Sequence, residues 1–163
     1  MKKYVLLLIV TLFLGGCNNA NSMEDVFHKE MKSLEDVDDY SLIKKVEEDN
    51  IILFTSYIQE DEENNNQIKI GHFNKTDSGW VWDKTANCNG KWSGTLENMP
   101  YLWCGTLTEP RHEKVYVGDT EAKMIEVDGG VKRVWYHLSE NENEEIKVVF
   151  TDGSEEWLKE VIK

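Results

Sequence analysis

Basic residues are scarce in this chain of 163 residues: 18 Lys and Arg stand against 31 Asp and Glu, which gives a formal net charge of −13 at pH 7. Proteins that bind nucleic acids neutralise phosphates with Lys and Arg, so we expect no nucleic-acid partner. A strongly acidic body instead attracts cationic partners, or it serves only to keep a surface protein soluble. The length suits one folded domain.

Catalytic motifs are also missing. The sequence contains no G-x-S-x-G, no H-E-x-x-H, no phosphate-binding loop and no dinucleotide fingerprint. We therefore expect a protein that is not an enzyme and that needs no cofactor. A Ser-His-Asp set assembled only in the folded chain stays open, because its members need not be neighbours in sequence.

Metal-binding patterns are absent as well. None of the three cysteines forms a C-x-x-C pair, and the four histidines are scattered, so zinc is not expected. Acidic clusters at 36–39, 60–63 and 152–156 lack the ligand spacing of a calcium-binding EF-hand loop. We interpret them as solvated loop charge and predict no metal site.

The amino terminus carries the main apolar run, residues 4–14, directly after Lys2 and Lys3. A positive start, a short apolar stretch and small residues before a cleavage point are typical of a secretory signal. The run is too short to cross a bilayer as a helix. It ends in Leu14-Gly15-Gly16-Cys17. This tetrapeptide resembles the lipobox of bacterial lipoproteins.

The lipobox resemblance implies that a signal peptide, residues 1–16, is removed and that Cys17 carries a diacylglycerol thioether. Two acyl chains hold a protein stably on a membrane, whereas one holds it only marginally. Residues 17–22 form the predicted lipidated tether, and 23–163 form a single β-rich extracytoplasmic domain. Asn18 follows the cysteine, and the Lys-, Glu- and Asn-rich composition suits a Gram-positive bacterium. We therefore expect the outer face of the cytoplasmic membrane.

Cys88 and Cys104 are the two cysteines that remain for the folded body. Because an extracytoplasmic compartment is oxidising, we predict a disulfide between them. In the chain-entropy model, a disulfide that closes a loop of this length stabilises the folded protein by about 3 kcal/mol.

The fold is predicted to be mainly β, with a short helix at its start. Ser22 and Asp25 are placed to cap this helix, and Phe27, Met31 and Leu34 would form its buried stripe. Short segments of strand character separated by turn residues follow. They are 41–46, 51–58, 67–74, 80–82, 113–117, 122–127, 131–138, 146–150 and, with a helix as the alternative, 155–162. This pattern is typical of an antiparallel sandwich or a barrel-like domain.

Two segments of the body, 50–82 and 130–157, share an order of features: strand, acidic loop, Ile-Lys strand, turn and tryptophan. A true duplication would give two similar sheet halves. The alternative is that any two acidic hairpins look alike. Residues 110–157 also resemble the C-terminal part of small, uncharacterised Gram-positive surface lipoproteins, through 115–123 and the 152–153 turn. That resemblance implies a small surface β-domain and supplies no catalytic residue.

Six tryptophans provide the candidate binding groups. Four of them lie in predicted strands, where we expect them to fill the core: Trp80, Trp82, Trp135 and Trp157. Trp92, Tyr101 and Trp103 lie in 87–105, which we expect to be an irregular loop closed by the disulfide. Exposed aromatic side chains on loops are good binding candidates, so we predict that these three residues bind the ligand. Covering the ends of the core is their alternative role.

The leading functional hypothesis is a membrane-anchored, non-enzymatic binding or envelope-associated module. The alternative is an inhibitor or sequestering partner of a cationic cell-wall-active protein, such as a lysozyme-like hydrolase, because an acidic field steers a basic partner. Glycan binding or hydrolysis is the third hypothesis. The expected partners are the membrane, through the anchor on Cys17, and either cell-wall glycan or a cationic protein.

Overall fold

The computed structural model describes residues 21–34, 37, 39–57 and 66–158. The predicted signal peptide, the lipidation site Cys17 and most of the predicted tether lie outside these residues, as do most of the acidic clusters at 36–39 and 60–63. The described chain forms one helix, α1 (Met23–Ser33), followed by twelve strands. The strands are β1 (Asp39–Val46), β2 (Ile51–Tyr57), β3 (Asn66–Thr76), β4 (Gly79–Asn87), β5 (Ser93–Thr95), β6 (Tyr101–Leu107), β7 (His112–Val117), β8 (Thr120–Glu121), β9 (Lys123–Val127), β10 (Lys132–Ser139), β11 (Ile146–Phe150) and β12 (Glu155–Leu158).

The strands form three antiparallel sheets of four strands each. The first sheet has the order β1-β2-β3-β4, the second β5-β6-β10-β9 and the third β12-β11-β7-β8. The predicted mainly β class is confirmed, and the arrangement is sandwich-like rather than a closed barrel. Among the described residues, no helix combines the length and the apolar character needed to cross a bilayer.

The second sheet is the central layer, because its two faces contribute to different cores. On β10, Val134 and Tyr136 point into a core shared with the first sheet, whereas Trp135 between them points into a core shared with the third sheet. Alternate residues of a strand face opposite sides, so such a strand is buried on both faces. The result is a stack of helix, first sheet, second sheet and third sheet.

Helix α1 covers the outer face of the first sheet. Ser22 and Asp25 form the predicted capping box: Ser22 Oγ accepts from Asp25 N at 3.1 Å, and Asp25 Oδ2 accepts from Ser22 N at 2.9 Å. Phe27 and Met31 are buried as predicted. The prediction for Leu34 is wrong. The helix ends at Ser33, so Leu34 is extended and 49% exposed.

The predicted disulfide between Cys88 and Cys104 is present. Cys88 directly follows β4, and Cys104 lies on β6, so the bond joins the first sheet to the second. Both residues are fully buried in the core between these two sheets. The disulfide is therefore part of the core rather than a clip on a surface loop.

Residues 87–105 are more regular than we predicted, since they contain β5 and most of β6. The predicted repeat is also not reproduced in the strand pairing. In the first segment β2 pairs with β3, but in the second segment β10 pairs with β6 and β9 and lies in a different sheet from β11. This difference favours the alternative, that two acidic hairpins merely look alike. The predicted strand at the carboxyl end is confirmed for Glu155–Leu158.

Candidate functional site

The structure packs the three predicted binding residues against one core rather than on an irregular loop, and of the three only Trp92 and Trp103 line the cleft described below. Trp103 lies on β6, faces the core between the second and third sheets, and is only 4% exposed. Trp92 and Tyr101 are partly buried against the same core. The predicted exposed loop is therefore wrong for Trp103, because the alternation along β6 turns its ring inward.

A cleft of about 920 Å³ opens beside this aromatic group. It lies between β5, an edge strand of the second sheet, and β12, an edge strand of the third sheet. One wall consists of Trp92, Ser93, Gly94, Leu96 and Trp103. The opposite wall consists of Glu142, Asn143, Glu144, Glu145, Ile146, Trp157 and Leu158. An aromatic wall thus faces an acidic wall, and we call this space the edge cleft.

The aromatic wall is built around Trp92 and Trp103, whose ring centroids lie 5.9 Å apart with the planes tilted by 38°. Trp103 packs directly on Gly94 of β5. A Cβ at Gly94 would lie 2.9 Å from two ring atoms of Trp103, so a larger residue would displace the indole. Within the described residues, Trp103 Nε1 has no hydrogen-bond partner. This donor is buried within the fold and is not exposed on the surface of the wall.

Trp92 is positioned by a segment that lies tightly on Gly105. Trp135 Nε1 donates to the Lys91 carbonyl at 3.1 Å, and Thr106 N donates to the Gly90 carbonyl at 2.8 Å. A Cβ at Gly105 would clash with the Lys91 carbonyl oxygen and lie 2.6 Å from Trp135 Nε1. Only glycine therefore leaves room for the backbone that precedes Trp92.

The loop that carries Leu96 is held by Lys84, a lysine whose side chain is almost fully buried. Lys84 Nζ donates to the carbonyls of Asn98 and Pro100 at 2.5 and 2.8 Å, and it lies 3.3 Å from Asp83 Oδ2. A buried ammonium is tolerated only where such partners replace water. This lysine fixes the loop, and Leu96 is left 46% exposed at the rim of the edge cleft.

The acidic wall is ordered by its own hydrogen bonds. Asn141 N donates to Ser139 Oγ at 2.9 Å, and Asn143 N donates to Asn141 Oδ1 at 3.1 Å. Ser139 Oγ in turn donates to Glu144 Oε1 at 2.5 Å. The other carboxylate oxygen, Oε2, would be only 2.5 Å from a Cβ at Gly118, so it fits because this residue is a glycine. The φ of Gly118, +57°, also favours glycine at this position. The Glu144 carboxylate is thus held in one place before any ligand arrives.

No lysine, arginine or histidine of the described ranges lies within ion-pair distance of Glu142, Glu144 or Glu145. His137 on β10 interacts electrostatically with Glu144 at a distance beyond that of an ion pair. Burial lowers the pKa of His137, and attraction to Glu144 opposes part of this shift. The acidic wall therefore presents negative charge that the described residues leave uncompensated.

An exposed ion pair joins the two sheets beside the cleft. Lys91 Nζ lies 3.5 Å from Glu156 Oε1, which connects the segment before β5 to β12. Next to it, Trp157 is 50% exposed, so the prediction that it fills the core is wrong. Its neighbour Leu158 faces the core instead, and Lys147 Nζ lies 5.5 Å from the Trp157 ring centroid.

Of the other tryptophans predicted to fill the core, Trp135 does so, whereas Trp80 and Trp82 are only partly buried. Trp135 is fully buried, and Trp80 and Trp82 pack against the core beneath α1. No metal-holding group of three or more His, Cys, Asp or Glu occurs in the residues that the structure describes. In the cluster at 152–156, Glu155 and Glu156 instead pair with lysines.

Sequence reasoning missed the acidic wall, Leu96 and Trp157. The run of Glu and Asn at 140–145 gave a local signal only for a polar loop. Its position opposite Trp92 follows from two sheets meeting at their ends, which no local pattern encodes. Comparison of the chain with protein-family models, with curated proteins and with solved structures finds no significant match.

Proposed function

We propose that the chain is a lipid-anchored extracytoplasmic protein that binds its ligand, without transforming it, in the edge cleft. The observation that carries the binding role is the cleft itself, a concave space of about 920 Å³ with an aromatic wall facing an ordered acidic wall. Ligand sites are typically concave, mostly apolar and equipped with a few placed polar groups.

The layered fold suits an anchored binding protein. A tether that ends at Ser22 would join the body at α1, on the outer face of the first sheet. The edge cleft lies between the second and third sheets. The attachment point and the cleft are thus on different layers, which leaves the cleft accessible when the helix side is near the membrane.

An inhibitor or sequestering partner of a cationic cell-wall-active protein is the second candidate. The specific observation in its favour is the acidic wall, because Glu142, Glu144 and Glu145 lack cationic partners among the described residues. The net charge of −13 would steer a basic protein toward the surface.

The anchor is tested by fractionating cells that express the full chain, with Cys17→Ala as the matched variant. We expect the wild-type chain in the membrane fraction, with an intact mass that starts at Cys17 and includes acyl chains. We expect the Cys17→Ala chain outside that fraction. Equal membrane association of both chains would contradict the proposed anchor.

The cleft is tested by retention of envelope components on the purified full chain. Trp92→Ala removes part of the aromatic wall, whereas Val131→Ala changes a residue that is 72% exposed in the turn between β9 and β10. We expect a component that the wild type and Val131→Ala retain and that Trp92→Ala loses. Urea unfolding of each variant checks that it is folded. Identical retention by all three folded chains would contradict binding in the cleft.

A further inference from the structure

We infer that the ligand of the edge cleft is a cationic, extended polypeptide segment, which places a lysine or arginine side chain between the aromatic and acidic walls. This inference rests on the proposed function and names the chemistry of its ligand. It depends on three features of the cleft: unpaired carboxylates, tilted indoles and an open strand edge.

The carboxylates set the charge of the ligand. Glu144 is fixed by Ser139 Oγ at 2.5 Å, and Glu142 and Glu145 flank it on the same ordered loop. All three glutamates line the cleft without an ion-pair partner among the described residues, so an ammonium or guanidinium group from a ligand meets complementary charge there. The Glu144 carboxylate is already held by Ser139, so this side chain loses little conformational entropy on binding.

The indoles favour a long side chain over a sugar ring. Trp92 and Trp103 are tilted by 38° and Trp103 is almost completely buried, so they offer no flat platform for a row of stacked sugars. A lysine or arginine needs less: its methylene groups lie along apolar surface while its charged end reaches polar groups. Attraction of the cation to an indole face strengthens this contact further.

The strand edge favours a polypeptide over a free amine. In the described sheets β12 hydrogen-bonds only to β11, so its other side carries backbone groups without a strand partner. The other edge strand at the cleft, β5, is partly covered by β4, because Thr95 Oγ1 donates to the Thr85 carbonyl of β4 at 3.3 Å. An extended segment that adds to the free edge of β12 gains main-chain hydrogen bonds, and its side chains then reach the cleft.

The test is calorimetric titration of the detergent-solubilised full chain with three probes. The first is a short peptide in which Lys alternates with Val, the second is the same peptide with every lysine acetylated, and the third is a neutral chitin-type oligosaccharide. We expect the cationic peptide to bind, its affinity to fall steeply as salt is raised, and the other two probes to bind at least about tenfold more weakly.

Two triple variants separate the acidic wall from the overall charge. One carries Glu142→Gln, Glu144→Gln and Glu145→Gln. The other carries Gln at three exposed glutamates outside the cleft: Glu48, Glu113 and Glu126. Both change the net charge equally, so long-range steering falls equally. We expect the cleft variant to lose at least about tenfold in affinity and the control variant to lose less than about threefold.

The outcomes distinguish this inference from the function on which it rests. Equal losses in both triple variants, or equal binding of the acetylated peptide, would overturn the cationic ligand. If the oligosaccharide binds and Trp92→Ala abolishes that binding, the cleft is a binding site but the ligand class is wrong. If no probe binds and Trp92→Ala also leaves envelope retention unchanged, both the inference and the proposed function fail.

Discussion

Replacing Gly105 by alanine is expected to cost far more stability than one added methyl group normally does. The new Cβ would clash with the Lys91 carbonyl oxygen and lie 2.6 Å from Trp135 Nε1. Neither atom is the free end of a flexible side chain: one is backbone, and the other belongs to a fully buried ring. The segment before Trp92 must therefore move.

That movement breaks at least two hydrogen bonds, from Trp135 Nε1 to the Lys91 carbonyl and from Thr106 N to the Gly90 carbonyl. Leaving buried polar groups unpaired costs about 1–3 kcal/mol each, and overpacking a core costs about 1–3 kcal/mol. Partial relaxation offsets some of this cost. We expect Gly105→Ala to lower the free energy of unfolding by about 3–5 kcal/mol, a large share of the stability of an ordinary domain.

The assay is urea unfolding of the oxidised protein, followed by tryptophan fluorescence. Gly90→Ala is the matched control, since its Cβ would approach nothing closer than Trp92 O at 3.7 Å. It should change the free energy of unfolding by less than about 0.5 kcal/mol. A loss below about 1 kcal/mol for Gly105→Ala would refute the proposed role of Gly105 in positioning Trp92.

Three further predictions concern stability. Removing the disulfide by Cys88→Ala with Cys104→Ala should lower the free energy of unfolding by about 3 kcal/mol and therefore lower the urea midpoint. The midpoint of this double variant should no longer change when reductant is added. Lys84→Met should lower the free energy of unfolding by about 3–5 kcal/mol in the same assay, because the partly buried Asp83 and two loop carbonyls lose the buried ammonium group that they contact. Burial lowers the pKa of His112 from 6.5, so the unfolded chain binds more protons between the folded pKa and 6.5. Stability should therefore be full above about pH 6.5 and fall as the pH drops through the folded pKa. In the His112→Gln chain the free energy of unfolding should depend less steeply on pH in this range. An unchanged pH dependence would contradict the proposed contribution of His112.

Much of the fold was predictable because its determinants are local. The capping box of Ser22 and Asp25 is a four-residue signal, and the Asp152-Gly153 turn marks the β11–β12 hairpin. The strand segments were predictable because runs of strand-forming residues are separated by turn residues, whether a strand is buried on one face or, like β10, on both. The disulfide was predictable from compartment and cysteine count. Leu34 was predicted wrongly because helical spacing does not reveal that the helix ends one residue earlier.

The site was predictable only in part. Trp92 and Trp103 stand out by composition, but their burial depends on β6, whose strand character is hidden by neighbouring Gly, Asn and Pro. The glutamates at 142–145 are far from both tryptophans in sequence. The glutamates and the tryptophans line one cleft because the β5 edge of the second sheet lies beside the β12 edge of the third sheet. This arrangement depends on the pairing of β10 with β6 and of β11 with β7. Long-range pairing of this kind leaves no mark in a short window of sequence.

Site-specific photo-cross-linking in living cells tests the binding role of the edge cleft most directly. A photo-reactive residue at position 96, on the rim of the cleft, is compared with one at position 131, in the exposed turn between β9 and β10. We predict a discrete cross-linked product from position 96 that is absent from position 131 and that disappears in the Trp92→Ala chain. The same products from both positions, or an undiminished product in the Trp92→Ala chain, would contradict binding in the cleft.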